Sequence, residues 1–405
     1  MSAESMKRIL YAGSVHDQAE RDAVLRVLDG GARAFAIGKH VAEMERRVAE
    51  LFGKASGLMV NSGSSALFLA VELLDLPPSS EIITATCTFS TDISAIVRAG
   101  HVPVLIDIEP DTFNADVARI EEMISPKTRA ILLPNLVGNA PDWDAVRAIA
   151  DRHDLLVVED SCDALGATLR GTPTGTRSDL SLTSFANSHI ITCAGNGGMV
   201  LLDDERLRDR GLLLRRWGRR SEVQLYGSRR GERDFWEDLD GIRYDNLFIF
   251  DELGWNFEPS EMGAAFGLAQ LDKLGANHER RQRNFALYTE LFRRHEDRFV
   301  LPRTTDGLHT AWLSYPIVVR PDAGFTRSDM QLFLEERGVD TRTVWTGNVA
   351  RQPMMKGVTF RAPAGGMPNA DAVMAGGLIL PMGHGLDDAA IDYVRERVEA
   401  FLATV

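Results

Sequence analysis

An α/β fold built on a mostly parallel sheet is predicted by three observations. Short apolar runs of strand length recur through the first half of the chain. Segments with helical spacing of apolar residues lie between them, and small polar loops join each run to the helix that follows. In such a sheet, ligands bind beyond the carboxyl ends of the strands. The 405 residues are 44% hydrophobic and 25% charged, enough to build a substantial core and more than one small domain.

In chain order, apolar residues at helical spacing predict helices over residues 19–28 and 41–52. A strand at 57–60 leads through Asn61-Ser62-Gly63-Ser64-Ser65 into a helix over 66–74. Residues 81–85 form the next strand, with a helix starting at Ser90. Runs at 102–108, 130–135 and 155–159 read as buried strands, with a helix over 143–152 among them. The polar loop Ser184-Phe185-Ala186-Asn187-Ser188-His189 and the glycines of Gly195-Asn196-Gly197-Gly198 precede a strand at 199–202. Residues 215–251 are charged and aromatic-rich with no period, a pattern that is either functional or disordered. Helical texture returns over 260–295. A smaller α+β unit follows, with a strand at 314–319, a helix over 327–337 and a last helix from Asp387. The expected division is a large domain of residues 1–285 and a small C-terminal domain of residues 286–405.

A net charge of −13 argues against a nucleic-acid partner, because phosphate backbones demand basic surfaces. A phosphorylated small molecule stays possible through local arginines and backbone amides. Cys87, Cys162 and Cys193 are not spaced as a metal or redox pair, which fits a reducing compartment. The first residues lack a signal-peptide core, and no apolar stretch reaches the roughly 20 residues that span a bilayer. A cytoplasmic protein without a membrane partner is expected.

Three motifs carry chemistry. Asn61-Ser62-Gly63-Ser64-Ser65 sits where a strand opens into a helix, so free amides and the helix dipole suit a phosphate there; a plain serine N-cap explains it equally well. Glu159-Asp160-Ser161-Cys162-Asp163 ends a buried apolar run. A carboxylate there suits a protonated ring nitrogen, or it caps the next turn. His189 ends a polar loop, where a lone histidine is more often structural than catalytic.

The order of these segments changes their meaning. Together with Asp107-Ile108-Glu109-Pro110-Asp111-Thr112-Phe113-Asn114, Leu253-Gly254-Trp255-Asn256 and Thr346-Gly347-Asn348, it resembles the DegT/DnrJ/EryC1/StrS family of sugar aminotransferases. The resemblance implies an aspartate aminotransferase-like (fold type I) α/β architecture and a pyridoxal or pyridoxamine 5'-phosphate cofactor. In that family a lysine five residues after the loop serine tethers the cofactor; here His189 stands at that position. The other lysines are Lys7, Lys39, Lys54, Lys127, Lys273 and Lys356, all distant in sequence. Without the amine the cofactor rests unbonded, while an imidazole still moves protons with a pKa suited to neutral pH. Histidine at this position marks the lysine-less sugar 3-dehydratases. Ala164-Leu165-Gly166-Ala167-Thr168 and Gly347-Asn348-Val349-Ala350-Arg351-Gln352-Pro353 agree with that branch.

The resemblance assigns roles residue by residue. Asp160 would pair with the ring nitrogen, Phe89 would stack on the ring, and Asp163 would face its 3-hydroxyl side. Ser64, Ser65 and Ser184 would hold the phosphate, joined by Asn256 of a second subunit, so a homodimer with shared sites is expected. Arg215, Arg342, Asn348 and Arg351 are candidate substrate contacts. His189 would be the catalytic base in the C3 dehydration of a nucleotide-linked 4-keto-6-deoxy sugar. Glutamate would restore the amine form of the cofactor.

Two departures bear on this. The family's acidic Gly-Glu-Gly-Gly-like turn becomes Ala194-Gly195-Asn196-Gly197-Gly198, longer and without the acid. A cluster-bearing branch carries four cysteines after its Arg-Trp-Gly-Arg-like passage, and residues 216–223 here hold none. No metal and no iron–sulfur cluster is therefore expected. The alternatives are a dehydratase served by an external reductase, ordinary amino transfer through a remote lysine, and a non-catalytic sugar-nucleotide-binding homologue.

Overall fold

The computed structural model describes residues 8–232 and 235–405. Lys7 and the start of the N-terminal stretch lie outside the described residues, as do Arg233 and Asp234 of the aperiodic segment.

Two helices open the fold, α1 (Gln18–Leu28) and α2 (Lys39–Phe52). Asp17 and Glu20 form a capping box at the start of α1, and Gly53 closes α2 in the left-handed region (φ 66°). Strand and helix then alternate through β1 (Ser56–Val60), α3 (Gly63–Leu73), β2 (Glu81–Ala85), α4 (Ser90–Arg98), β3 (Val102–Ile106), β4 (Thr128–Pro134), α5 (Trp143–His153) and β5 (Leu156–Asp160). Strands β6 (Leu180–Ser184) and β7 (Gly198–Leu202) complete a seven-stranded sheet ordered β1-β7-β6-β5-β4-β2-β3. Only β7 runs against the others, so the sheet is mostly parallel, as the apolar runs predict.

Apolar clusters cover both faces. Along β4, Ile131 and Leu133 enter one cluster and Ala130 and Leu132 the other, the two-residue period of a strand buried on both sides. β6 escapes a reading of the sequence because Ser181, Thr183 and Ser184 are polar. Packing between β5 and β7 buries them all the same.

Beyond α6 (Glu205–Arg215), the aperiodic segment folds into a short helix, Ser221–Tyr226, and a hairpin of β8 (Trp236–Leu239) and β9 (Ile242–Asp245). It shows no alternation because Trp236, Leu239, Ile242 and Tyr244 are all exposed, so no face is selected for burial. The expected helical run over 260–295 is two helices, α7 (Glu261–Leu271) and α8 (Leu274–Phe292). The division expected at residue 285 falls inside α8.

The C-terminal unit is a three-stranded antiparallel sheet of β10 (Phe299–Val300), β11 (Tyr315–Val319) and β12 (Gly377–Leu380), flanked by α9 (Arg327–Glu336) and α10 (Asp388–Leu402). Ile9 pairs with Val339, so the N-terminal strap runs across to this unit. No helix among the described residues is long and apolar enough to cross a membrane.

Candidate active site

The carboxyl ends of β4, β5 and β6 and the amino end of α3 enclose a cavity of about 430 Å³. At α3, Ser62 Oγ accepts from the Ser65 amide at 3.1 Å, and the Ser65 hydroxyl donates to Asn61 Oδ1 at 2.6 Å. Ser65 is therefore spent on the cap, whereas Ser62, Gly63 and Ser64 face the cavity. A Cβ on Gly63 would lie 2.5 Å from that of Ser184, and one on Gly198 would lie 2.3 Å from the Ser62 carbonyl. These glycines let the helix start, β6 and β7 close on one another. Ser184, at the end of β6, also lines the cavity.

Asp160 ends β5 inside this wall and accepts the Cys162 amide at 2.9 Å. Asp163 accepts the Val137 amide at 2.9 Å, and burial pushes its carboxyl up to about 8. Asp92 joins them from α4. It is fully buried, takes a hydrogen bond from the Thr88 hydroxyl on Oδ2, and leaves Oδ1 without a partner. Burial and the neighbouring Asp160 raise Asp92 well above the usual carboxylate range. Sequence reading does not single out Asp92; the available signal is a carboxylate among the otherwise apolar buried residues Ile93, Ala95 and Ile96 of this helix.

His189 faces the cavity with Nε2 3.9 Å from Asp163 Oδ1, too far for a hydrogen bond. Its Nδ1 is buried without a partner in hydrogen-bond geometry. Burial pulls the imidazole down to about 4, opposed in part by the Ser184 backbone. This departs from the expectation of a pKa near neutrality: the His189 imidazole is neutral at pH 7. Asn196 also stands in the wall, in a turn where Gly195 donates to Thr192 Oγ1 at 2.8 Å and Gly197 has φ 143°. The turn thus presents a neutral amide to the cavity.

Phe89, half exposed, and Arg342 line the same cavity, together with Tyr11 and Trp345, which the sequence did not single out. Other candidates do not reach it. Arg215 is 1% exposed and donates to Glu45 Oε1 and the Met59 carbonyl, both at 3.0 Å, so it ties α6 to β1 and α2. Asn348 and Arg351 both bind Asp371, away from the cavity wall. Within one protomer, Arg215, Asn348 and Arg351 therefore stand outside this cavity wall and are held by protein partners. Asn256 is exposed outside the cavity, with Oδ1 accepting the Glu258 amide at 3.2 Å. No described lysine lines the cavity; Lys54 pairs with Asp203, and Lys273 with Glu20 and Asp17. Among the described residues no cluster of histidine, cysteine and acidic side chains could hold a metal ion.

Residues 15–399 match the model of the DegT/DnrJ/EryC1/StrS aminotransferase family. The chain is 35% identical over 402 residues to a dTDP-4-dehydro-2,6-dideoxy-D-glucose 3-dehydratase of Saccharopolyspora spinosa, covering 97% of this chain and 86% of the relative. A solved structure of the Escherichia coli GDP-4-keto-6-deoxy-D-mannose-3-dehydratase with bound hydrated PLP superposes with a TM-score of 0.86 at 27% identity, covering 97% of this chain and 100% of that one. Another GDP-4-keto-6-deoxymannose-3-dehydratase structure, holding a trapped PLP-glutamate geminal diamine, gives a TM-score of 0.87 at 27% identity, with 96% and 99% covered.

Proposed function

The chain belongs to the DegT/DnrJ/EryC1/StrS aminotransferase family, and from that membership we propose that it is a sugar 3-dehydratase. In this reading it uses pyridoxamine 5'-phosphate to remove the C3 hydroxyl of a nucleotide-linked 4-keto-6-deoxy sugar. Glutamate restores the amine form, and no iron–sulfur cluster takes part. The observation that carries the reading is His189, at the family's lysine position, in a cavity whose wall contains no described lysine.

The residues present fit the cofactor. Gly63 brings the α3 amides against Ser184, leaving Ser64 and Ser184 to hold a phosphate. Asp160 holds the proton on the ring nitrogen, and Phe89 covers the ring face. Asn256 of a second copy completes the phosphate site, which makes the working unit a homodimer. The bound cofactor supplies a primary amine that captures a ketone and a ring that accepts an electron pair.

With the cofactor bound, His189 would take the proton at the cofactor's C4′ carbon, for which the neutral imidazole is the competent state. The same imidazole, then charged, gives that proton to the hydroxyl leaving sugar C3. The low solvation that depresses its pKa also makes it release the proton readily. The sugar thus leaves as the 3-deoxy-4-keto compound with loss of ammonia, and glutamate becomes 2-oxoglutarate.

Mass spectrometry of products from several 4-keto-6-deoxy sugar nucleotides, with glutamate and no reductase, tests the reading. A 3-deoxy product is expected; an amino sugar, or turnover that needs iron and a reductase, would overturn it. His189→Asn should lower turnover by about 10²- to 10⁴-fold while the cofactor stays bound. His189→Lys should shift the enzyme toward amino transfer.

A further inference from the structure

A second chamber, of about 610 Å³, lies beside the first, and Tyr11, Ser188 and Leu313 stand in the walls of both. Ser188 directly precedes His189, so the two chambers meet at the catalytic loop.

The second chamber holds a cation without a counter-ion. Arg281 of α8 is 3% exposed and lines the chamber. Its Nη1 donates to the carbonyls of Trp312 and Leu313, at 3.3 and 2.8 Å, and its Nε donates to His384 Nδ1 at 3.2 Å. No carboxylate among the described residues forms an ion pair with it. Burial lowers the guanidinium only to about 10, so it stays charged at neutral pH.

His384 supplies a second observation. Because its Nδ1 accepts from Arg281, the ring proton of the neutral imidazole sits on Nε2, and that atom is buried without a partner. A buried donor with nothing to donate to thus stands next to a buried unpaired charge, and both arrangements are costly without an acceptor. The chamber also takes in Ala389 and Ala390 in the first turn of α10, whose dipole favours an anion. The other charged groups in its wall are engaged. Asp387 caps α10 by accepting the Ala390 amide, and Arg8 pairs with Asp340 and Glu335.

We propose that this chamber is a carboxylate subsite that takes one end of the amino donor, a small α-amino dicarboxylate, and holds it beside His189. The proposal rests on the dehydratase reading for the identity of its occupant. Arg342 in the wall of the first chamber, more than half exposed and paired with Glu335 only at 3.7 Å, turns to the other carboxylate, and the Tyr11 phenol lies within the field of both guanidinium groups. A donor spanning the two presents its amine at the junction.

The test uses the cofactor-loaded enzyme in its aldehyde form without sugar, following the absorbance change as glutamate is added, and calorimetry with the unreactive analogue glutarate. Arg281→Gln removes the charge. Ala389→Asp places a carboxylate at an exposed position in the chamber without disturbing the core. Each variant should raise the glutamate half-saturation concentration, and weaken glutarate, at least about tenfold. Arg281→Gln should also narrow the preference for glutamate over glutamine. Values within about twofold of wild type for both ligands in both folded variants would overturn the subsite. If Arg281→Gln does not fold, Ala389→Asp decides by the same thresholds. A wild type that shows this glutamate chemistry yet removes no water from any sugar nucleotide would refute the dehydratase reading and leave the subsite standing.

Discussion

The wall of the first chamber gathers the carboxyl groups of Asp92, Asp160 and Asp163, whereas that of the second presents Arg281, His384 and the start of a helix. Both are buried, so both face the same penalty for charge, and they resolve it in opposite ways. In the acidic chamber, burial raises the carboxyl groups, so Asp163 keeps its proton near neutrality and Asp92 is held well above the usual range. In the basic chamber the guanidinium cannot shed its proton and is ligated by backbone carbonyls instead. A wall of carboxyl groups suits a cationic partner, beside which one of them can give up its proton. A basic wall suits a carboxylate. Burial alone therefore does not set the chemistry; the ability of the buried group to change protonation does.

Removing Asp160, the carboxylate proposed to meet the ring nitrogen, should have the largest effect. Asp160→Asn is expected to lower turnover by about 10²-fold or more, with weaker cofactor retention measured by dialysis. Next comes the junction that closes this chamber. Gly63→Ala forces a Cβ into Ser184 and should cost about 1–3 kcal/mol in thermal or denaturant unfolding, with reduced cofactor affinity.

A finer test sets the two titrations of the acidic chamber against each other in cofactor-stripped protein. Asp163 has a folded pKa of about 8 against 3.8, so the native state binds the extra proton between those values and stability falls as pH rises through the window. His189 has a folded pKa of about 4 against 6.5, so the unfolded state binds the extra proton and stability falls as pH drops through that window. In melting scans Asp163→Asn should flatten the loss toward pH 8, and His189→Asn the loss toward pH 4. Unchanged profiles would show that neither group is desolvated as described. The smallest effect is expected outside both chambers. Arg351→Ala breaks a largely exposed pair with Asp371, so stability should change by about 0–1 kcal/mol and turnover should hold.

Parts of this site are legible residue by residue. Ser64, Asp160, Ser184 and His189 sit where strands end and helices or loops begin, and their order along the chain carries the family resemblance. Asp92, Tyr11 and Arg281 are not legible in that way. Asp92 lies within a helix, Tyr11 in an N-terminal strap and Arg281 on a late helix. Asp92 lines the first chamber, Arg281 the second and Tyr11 both, and these walls are assembled from segments far apart in the chain. Arg215 shows the opposite case: the resemblance offers it as a substrate contact, and packing ties it to Glu45 and the Met59 carbonyl.

What the sequence by itself determined is the alternation of strand and helix, the mostly parallel sheet, and the substitution of an imidazole for the tethering amine. These are local matters of period, turn chemistry and residue identity. Only the tertiary structure decided that the His189 imidazole is neutral, that Asp163 keeps its proton, and that Arg281 has no carboxylate partner among the described residues. Protonation and pairing depend on what packs against a group, and packing partners are chosen by the fold rather than by neighbours in the chain.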